Sequence, residues 1–286
     1  ETGPEPLSDC SDLHWRTEAE LVLTSQGQVD EFCFEWNAIE GDLIVDLDGD
    51  PDEPIWELDG ISCLCEVTGD VEIHWIPDYD PTESAPPPPH SSTDLELPLL
   101  ERVGGSLLIR DIWGLAQLSF MSALTEVGGD FTLFGLDNLS GISLAGLSSV
   151  GGELSITDVE MLQSIELESL VTLGGLRLSA DEQMDLQSLR KISTPLIEQI
   201  GGDVSLSGPK GLYQWEAPLL TEITGQLLVQ GSCSYAPELP RLSRVESLDL
   251  VGNCGLESLG GLPITEVIGQ AEDGSSIRIE HNDGLE

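Results

Sequence analysis

The densest group of potential ligands is Asp46-Leu-Asp48-Gly-Asp50-Pro-Asp52-Glu53, with Asp59 further on. Alternating aspartates offer the hard oxygen donors that Ca²⁺ takes. Counted from Asp48, aspartates stand at positions 1, 3, 5 and 12 of an EF-hand-like loop, but Glu53 occupies position 6, where such a loop needs glycine. The run therefore reads either as a weak Ca²⁺ site through Asp46, Asp48, Asp50 and Asp52 or as a solvated acidic loop. No other cofactor comes into view. The histidines, His14, His74, His90 and His281, are scattered. The sequence carries no Gly-x-Ser-x-Gly elbow, no P-loop and no His-Glu-x-x-His. The expectation is a protein that is not an enzyme.

The 6 cysteines follow no catalytic pattern and point to an oxidising compartment. Cys233 lies ten residues after Ile223, and Cys254 nine after Val245. If those two aliphatic residues are equivalent, the cysteines stack and form a disulfide. Asn138-Leu-Ser140 is a glycosylation sequon, relevant in a eukaryotic secretory pathway.

What positions these residues is a repeat. An aliphatic residue, a glycine pair and an alternating strand recur as Val103-Gly-Gly-Ser-Leu-Leu-Ile, Val127-Gly-Gly-Asp-Phe-Thr-Leu, Val150-Gly-Gly-Glu-Leu-Ser-Ile and Ile200-Gly-Gly-Asp-Val-Ser-Leu, with a shorter unit at Leu173. Weaker copies extend both ways. The first apolar strand residues are Leu21, Leu43, Val71, Leu107, Phe131, Leu154, Leu176, Val204, Leu227, Leu248 and Ile277, which makes eleven rungs. Most steps are 21 to 24 residues, and longer ones hold insertions. The alternation turns two apolar side chains inward and the residue between them outward. The glycine is expected to provide a sharp turn at positive φ. No rung buries its apolar face alone, so neighbours must stack.

The expected fold is all-β: a right-handed parallel β-helix of about eleven rungs with an N-terminal helical cap at Ser25–Phe32. Residues 1–18 read as a tail, with Glu1-Thr2-Gly3 a scar left by an expression vector. Residues 19–286 read as one solenoid with a proline-rich insertion at 76–94. The sequence stops as another turn begins at Ile279, so the natural protein is expected to continue.

With 53 acidic residues against 10 basic, the net charge is −43. Such a surface repels nucleic acid and anionic membranes, and no stretch approaches the ~20 apolar residues of a membrane span. A secreted or cell-surface location is expected.

The outward strand positions differ along the rod. The middle rungs are hydroxylic, with Thr132, Ser155, Thr157, Ser179, Ser205 and Ser207. Phe134 and Arg177 interrupt that array, which argues against an ice-binding face. The early rungs gather Ile44, His74, Leu108, Arg110 and Phe134. Apolar and aromatic groups beside an arginine make a protein-binding patch, expected here as an island with few carboxylates.

Cys10, a strand, a helical stretch, Cys33 and Ile39-x-Gly-Asp-Leu-x-Val resemble the opening of a receptor L domain, the leucine-rich-repeat-like β-helix of insulin and epidermal growth factor receptor ectodomains. The recurring Leu-x-x-Leu-x-x-Val-Gly-Gly-x-Leu-x-Ile unit is similar to that family's repeat, and Asp249-Leu-Val-Gly-Asn253 resembles a leucine-rich repeat with its Asn turn. The resemblance implies an extracellular binding or adhesion module that recognises a protein or glycan through a sheet face. The acidic charge favours a microbial surface relative. It also implies a Cys10–Cys33 disulfide, which leaves Cys63 with Cys65, a tight pair that geometry disfavours. The competing arrangement stacks Cys33 on Cys63 or Cys65 and sends Cys10 to the other. Rival functions are a structural cell-envelope protein and a polysaccharide-active β-helix enzyme.

Overall fold

The computed structural model describes the chain outside residues 1–4, 51, 76–96, 113, 119–120, 180–185, 234–237, 270–275 and 286. The proline-rich insertion at 76–94 lies outside the described residues. The chain forms a nearly all-β parallel solenoid of about nine turns with one α-helix among the described residues.

The main sheet stacks the repeat in register. Leu21 pairs with Leu43, and the same column continues through Val71, Leu107, Phe131, Leu154, Leu176, Val204, Leu227, Leu248 and Ile277, every pairing parallel. From Leu21 to Leu248 these side chains are buried, as are their partners two residues on, such as Ile109, Leu133 and Ile156. A second, four-stranded parallel sheet forms another wall from Gly141–Ser143, Ser164–Glu166, Lys191–Ser193 and Gln214–Glu216. Its strands have three residues each, too short for alternation to announce them. Ile277, the last position of the column, is 52% exposed where Leu248 is 6%.

The glycine pairs serve close stacking rather than a positive-φ turn. A Cβ on Gly128 would stand 2.0 Å from the Gly104 carbonyl oxygen, and one on Gly151 2.1 Å from that of Gly128. Left-handed backbone falls instead just past the strand ends, at Asp111, Gly135, Asp158, Gly208, Gly231, Gly252 and His281, while the single repeat glycine Gly41 has the expected positive φ, at 137°. The second glycine makes room for a side chain of the neighbouring rung. A Cβ on Gly152 would lie 2.0 Å from Asp130 Oδ1.

That side chain belongs to a hydrogen-bond ladder. The Asp70 amide donates to Asp42 Oδ1 at 2.8 Å, the Ser106 amide to Asp70 Oδ1 at 2.7 Å, and the Asp130 amide to Ser106 Oγ at 3.2 Å. The Glu153 amide then donates to Asp130 Oδ1 at 2.8 Å, and the Gln226 amide to Asp203 Oδ1 at 2.8 Å. A second ladder runs along another corner. The hydroxyls of Thr125, Ser148, Thr221, Ser243 and Thr265 each donate to a carbonyl one coil earlier. Near the C-terminal end, Asn253 Nδ2 donates to the Val229 carbonyl and Asn282 Nδ2 to that of Leu250. The first ladder satisfies backbone amides, whereas the hydroxyls of the second add to carbonyls that already accept a backbone amide of the next coil, as that of Glu101 does from Thr125.

The N-terminal end is capped. Ser25 and Gln28 form a reciprocal capping box on the helix Gln26–Phe32, which buries Val29 and Phe32 over the first turn of core. Disulfides join Cys10 to Cys65 and Cys33 to Cys63. The Cys10–Cys33 bridge that the resemblance implies is thus not formed. The helix places Cys33 against Cys63, whose amide approaches Cys33 Sγ at 3.3 Å. The first strand is Trp15–Leu23, with Trp15 paired to Ala38, so the boundary set after residue 18 falls inside it. Buried Asn37 ties the segment before this strand down, accepting from the His14 amide and donating to the Asp9 and Asp12 carbonyls. Cys233 and Cys254 are joined on adjacent coils.

Candidate functional site

The register places the five early-rung residues on one strip of the main sheet. Ile44, Glu72, Leu108 and Thr132 form one column, and Asp46, His74, Arg110 and Phe134 the next. Each column comes from equivalent positions on successive strands, about 4.8 Å apart. Arg110 and Phe134 end their strands, and the backbone turns left-handed immediately after them, at Asp111 and Gly135. Both side chains therefore stand where the sheet meets a corner.

The strip is not poor in carboxylates. Glu72 Oε1 accepts from Arg110 Nε at 3.0 Å and from Nη2 at 2.9 Å, while Arg110 Nη1 reaches Asp111 Oδ2 at 3.4 Å. His74 Nδ1 lies 2.9 Å from the same Glu72 oxygen, but off the alignment of a hydrogen bond. Its Nε2 is 3.7 Å from Asp46 Oδ1. The expected island with few carboxylates is corrected on this point. An arginine in so acidic a protein is held by its neighbours, and the alternation that points Arg110 outward also places Glu72 beside it.

His74 is only 8% exposed, so it adds little surface to the strip. Phe134 is 39% exposed, and Ile44, Leu108 and Arg110 are half-buried. The surface on offer is one aromatic ring, two aliphatic side chains and a guanidinium oriented by two carboxylates. That arrangement suits contact with a partner's apolar surface and a hydrogen-bond acceptor.

Two contacts cross the rungs of the hydroxylic middle. Arg177 binds Glu153 through Nε at 2.8 Å and Nη2 at 3.2 Å, and Thr157 and Ser179 share a hydrogen bond of 3.1 Å.

The acidic run closes on itself as turns. The Asp48 amide donates to Asp46 Oδ1 at 3.3 Å, and the Asp52 amide to Asp50 Oδ1 at 3.0 Å. Among the described residues no three His, Cys, Asp or Glu side chains gather in a way that holds a metal ion. Asn138 is exposed, and the sequon's Ser140 hydroxyl donates to the Ala116 carbonyl at 3.0 Å. Close by, burial and the Asp111 and Asp158 carboxylates push the Asp137 carboxyl above the usual carboxylate range.

The Glu72–Arg110 pair and the aspartate ladder escape a motif search. Their signals were an acid at the outward position facing Arg110 and an Asp, Ser or Glu recurring directly after the glycine pair.

Comparison with known proteins finds no matching family model, no similar curated protein and no similar solved structure.

Proposed function

We propose that this protein is an extracellular, non-enzymatic binding or adhesion module, a right-handed solenoid of receptor-L type with eleven rungs. It contacts a protein partner through the early-rung strip. The register of eleven apolar positions from Leu21 to Ile277 supports the rung count. The three disulfides, with no free cysteine among the described residues, support an oxidising location. The observation that carries the binding reading is the pairing of exposed Phe134 with Arg110 already oriented by Glu72. A guanidinium held in place loses little side-chain freedom on contact, and aromatic and arginine side chains dominate partner cores.

The test screens the protein, presented as a multimer, against a panel of secreted proteins and receptor ectodomains. Hits are then measured with single variants. Arg110→Glu and Phe134→Ala should each weaken binding by at least ~1 kcal/mol, whereas Ser205→Ala should not. Equal effects at all three positions, or an effect at Ser205 alone, would remove the strip from the reading.

A further inference from the structure

A cleft lies elsewhere, along the last strand of the second sheet. Gln214–Glu216 ends that sheet, and beside it opens a cleft of about 750 Å³, within the range of small-ligand sites. Pro218, Pro240 and Pro263, from successive coils, line it together with the strand. Their rings have little side-chain freedom to lose on contact. Tyr213 stands at the cleft 60% exposed, the most exposed large apolar side chain among the described residues.

The polar groups beside Tyr213 are already arranged. Glu216 accepts from Gln214 Nε2 at 3.0 Å and lies 2.8 Å from Lys191 Nζ, while the Ser193 hydroxyl, 3.4 Å away, gives its one proton to Glu168 Oε1 at 2.8 Å. The hydrogen bond from Lys191 holds the Glu216 carboxyl below the usual carboxylate range, so at neutral pH it is an acceptor only. A carboxylate has about four lone-pair sites, and the Gln214 and Lys191 contacts leave room for a further donor. Glu238 adds a second carboxylate to the lining.

The ligand chemistry follows from these groups. Acceptors call for a ligand rich in donors, and the exposed ring calls for a flat apolar face. Carboxylates in the lining of a protein of net charge −43 disfavour an anion. Lys191 is already held by Glu216, and Arg190 and Lys210 line a second cleft that shares Tyr213. A sugar meets each requirement: its C–H face packs on the negative face of an aromatic ring, and its hydroxyls donate to carboxylates. We infer that this cleft binds a neutral oligosaccharide, with one ring stacked on Tyr213 and its hydroxyls bonded to Gln214 and Glu216. The inference does not depend on the early-rung strip, so either can fail without the other.

The experiment is isothermal titration calorimetry with neutral tetrasaccharides of glucose, mannose, galactose and N-acetylglucosamine, a uronic acid tetramer and a proline-rich peptide. At least one neutral tetrasaccharide should bind. Tyr213→Ala should weaken that binding about tenfold, the scale of one aromatic stack, while Tyr213→Phe, which keeps the ring, and Phe134→Ala should leave it unchanged. Tyr213 is exposed enough for both substitutions to leave the fold intact, which matching melting curves would verify. The inference is overturned if no neutral tetrasaccharide binds up to about 10 mM, if Tyr213→Ala binds as the wild type does, or if only the uronic acid tetramer or the peptide binds.

Discussion

Asp130 separates a structural role for the acids from simple solvation. Its carboxylate accepts from the Glu153 amide at 2.8 Å and fills the space over Gly152. Asp130→Ala removes the acceptor and one negative charge, whereas Asp130→Asn removes the charge and keeps an oxygen acceptor. A hydrogen bond to a charged group contributes about 1.5–3 kcal/mol when sheltered. Asp130 is exposed, and water replaces part of that, leaving about 1 kcal/mol. Relief of self-repulsion in a protein of net charge −43 offsets a few tenths of this in both variants. The alanine variant should therefore melt about 2 °C below the asparagine variant, and the asparagine variant close to the wild type. Interactions in a solenoid are nearest-neighbour, so the loss is local. Hydrogen exchange of the Glu153 amide should accelerate about fivefold in Asp130→Ala alone. Circular dichroism melting and exchange mass spectrometry provide the two readings. If the two variants behave alike, or both melt above the wild type, the ladder is decoration and the acids act only as solvated surface.

Leu154→Ala should cost roughly 2–5 kcal/mol, read by denaturant unfolding, because Leu154 is 2% exposed inside the ladder. The melting temperature should rise between dilute buffer and about 1 M NaCl, since self-repulsion of the −43 charge is screened beyond about 3 Å at that salt; an unchanged value would mean that local pairing already neutralises the surface. Asp137→Asn should raise the melting temperature at pH 7. Its carboxyl is shifted up in the folded state, so the fold takes up the proton more readily than the unfolded chain, and stability falls as pH rises from the ordinary carboxylate value through the raised one. The benefit of the asparagine should therefore fade as the pH is lowered through that window. Replacing Cys233 and Cys254 by serine opens a closure of 21 residues and should cost about 3 kcal/mol.

Much of the fold was legible because one rung is a small vocabulary repeated. Leu-x-Ile alternation marked the interior column, and the steps between copies fixed which residues would stack. Ser25 marked the start of the helix as its capping residue. The glycine pairs were visible but their reason was not: whether a glycine serves φ or close approach depends on the neighbouring coil, which the local sequence does not contain. The three-residue strands of the second sheet carry no readable period. At the strip, alternation placed Ile44, His74, Leu108, Arg110 and Phe134 correctly on two columns. It could not tell that Glu72 would hold Arg110, or that His74 would be buried between carboxylates, because those depend on side-chain reach between rungs.

Hydroxyl-radical footprinting, with the protein alone and bound to its partner, tests the binding face most directly. Oxidation of exposed side chains is read residue by residue, and Phe134, Met161 and Tyr213 are exposed at 39%, 51% and 60% on separate parts of the rod. The expected result is protection of Phe134 with Met161 and Tyr213 unchanged. Protection of Met161 or Tyr213 while Phe134 stays as reactive as in the free protein would contradict the assignment of the partner to the early rungs.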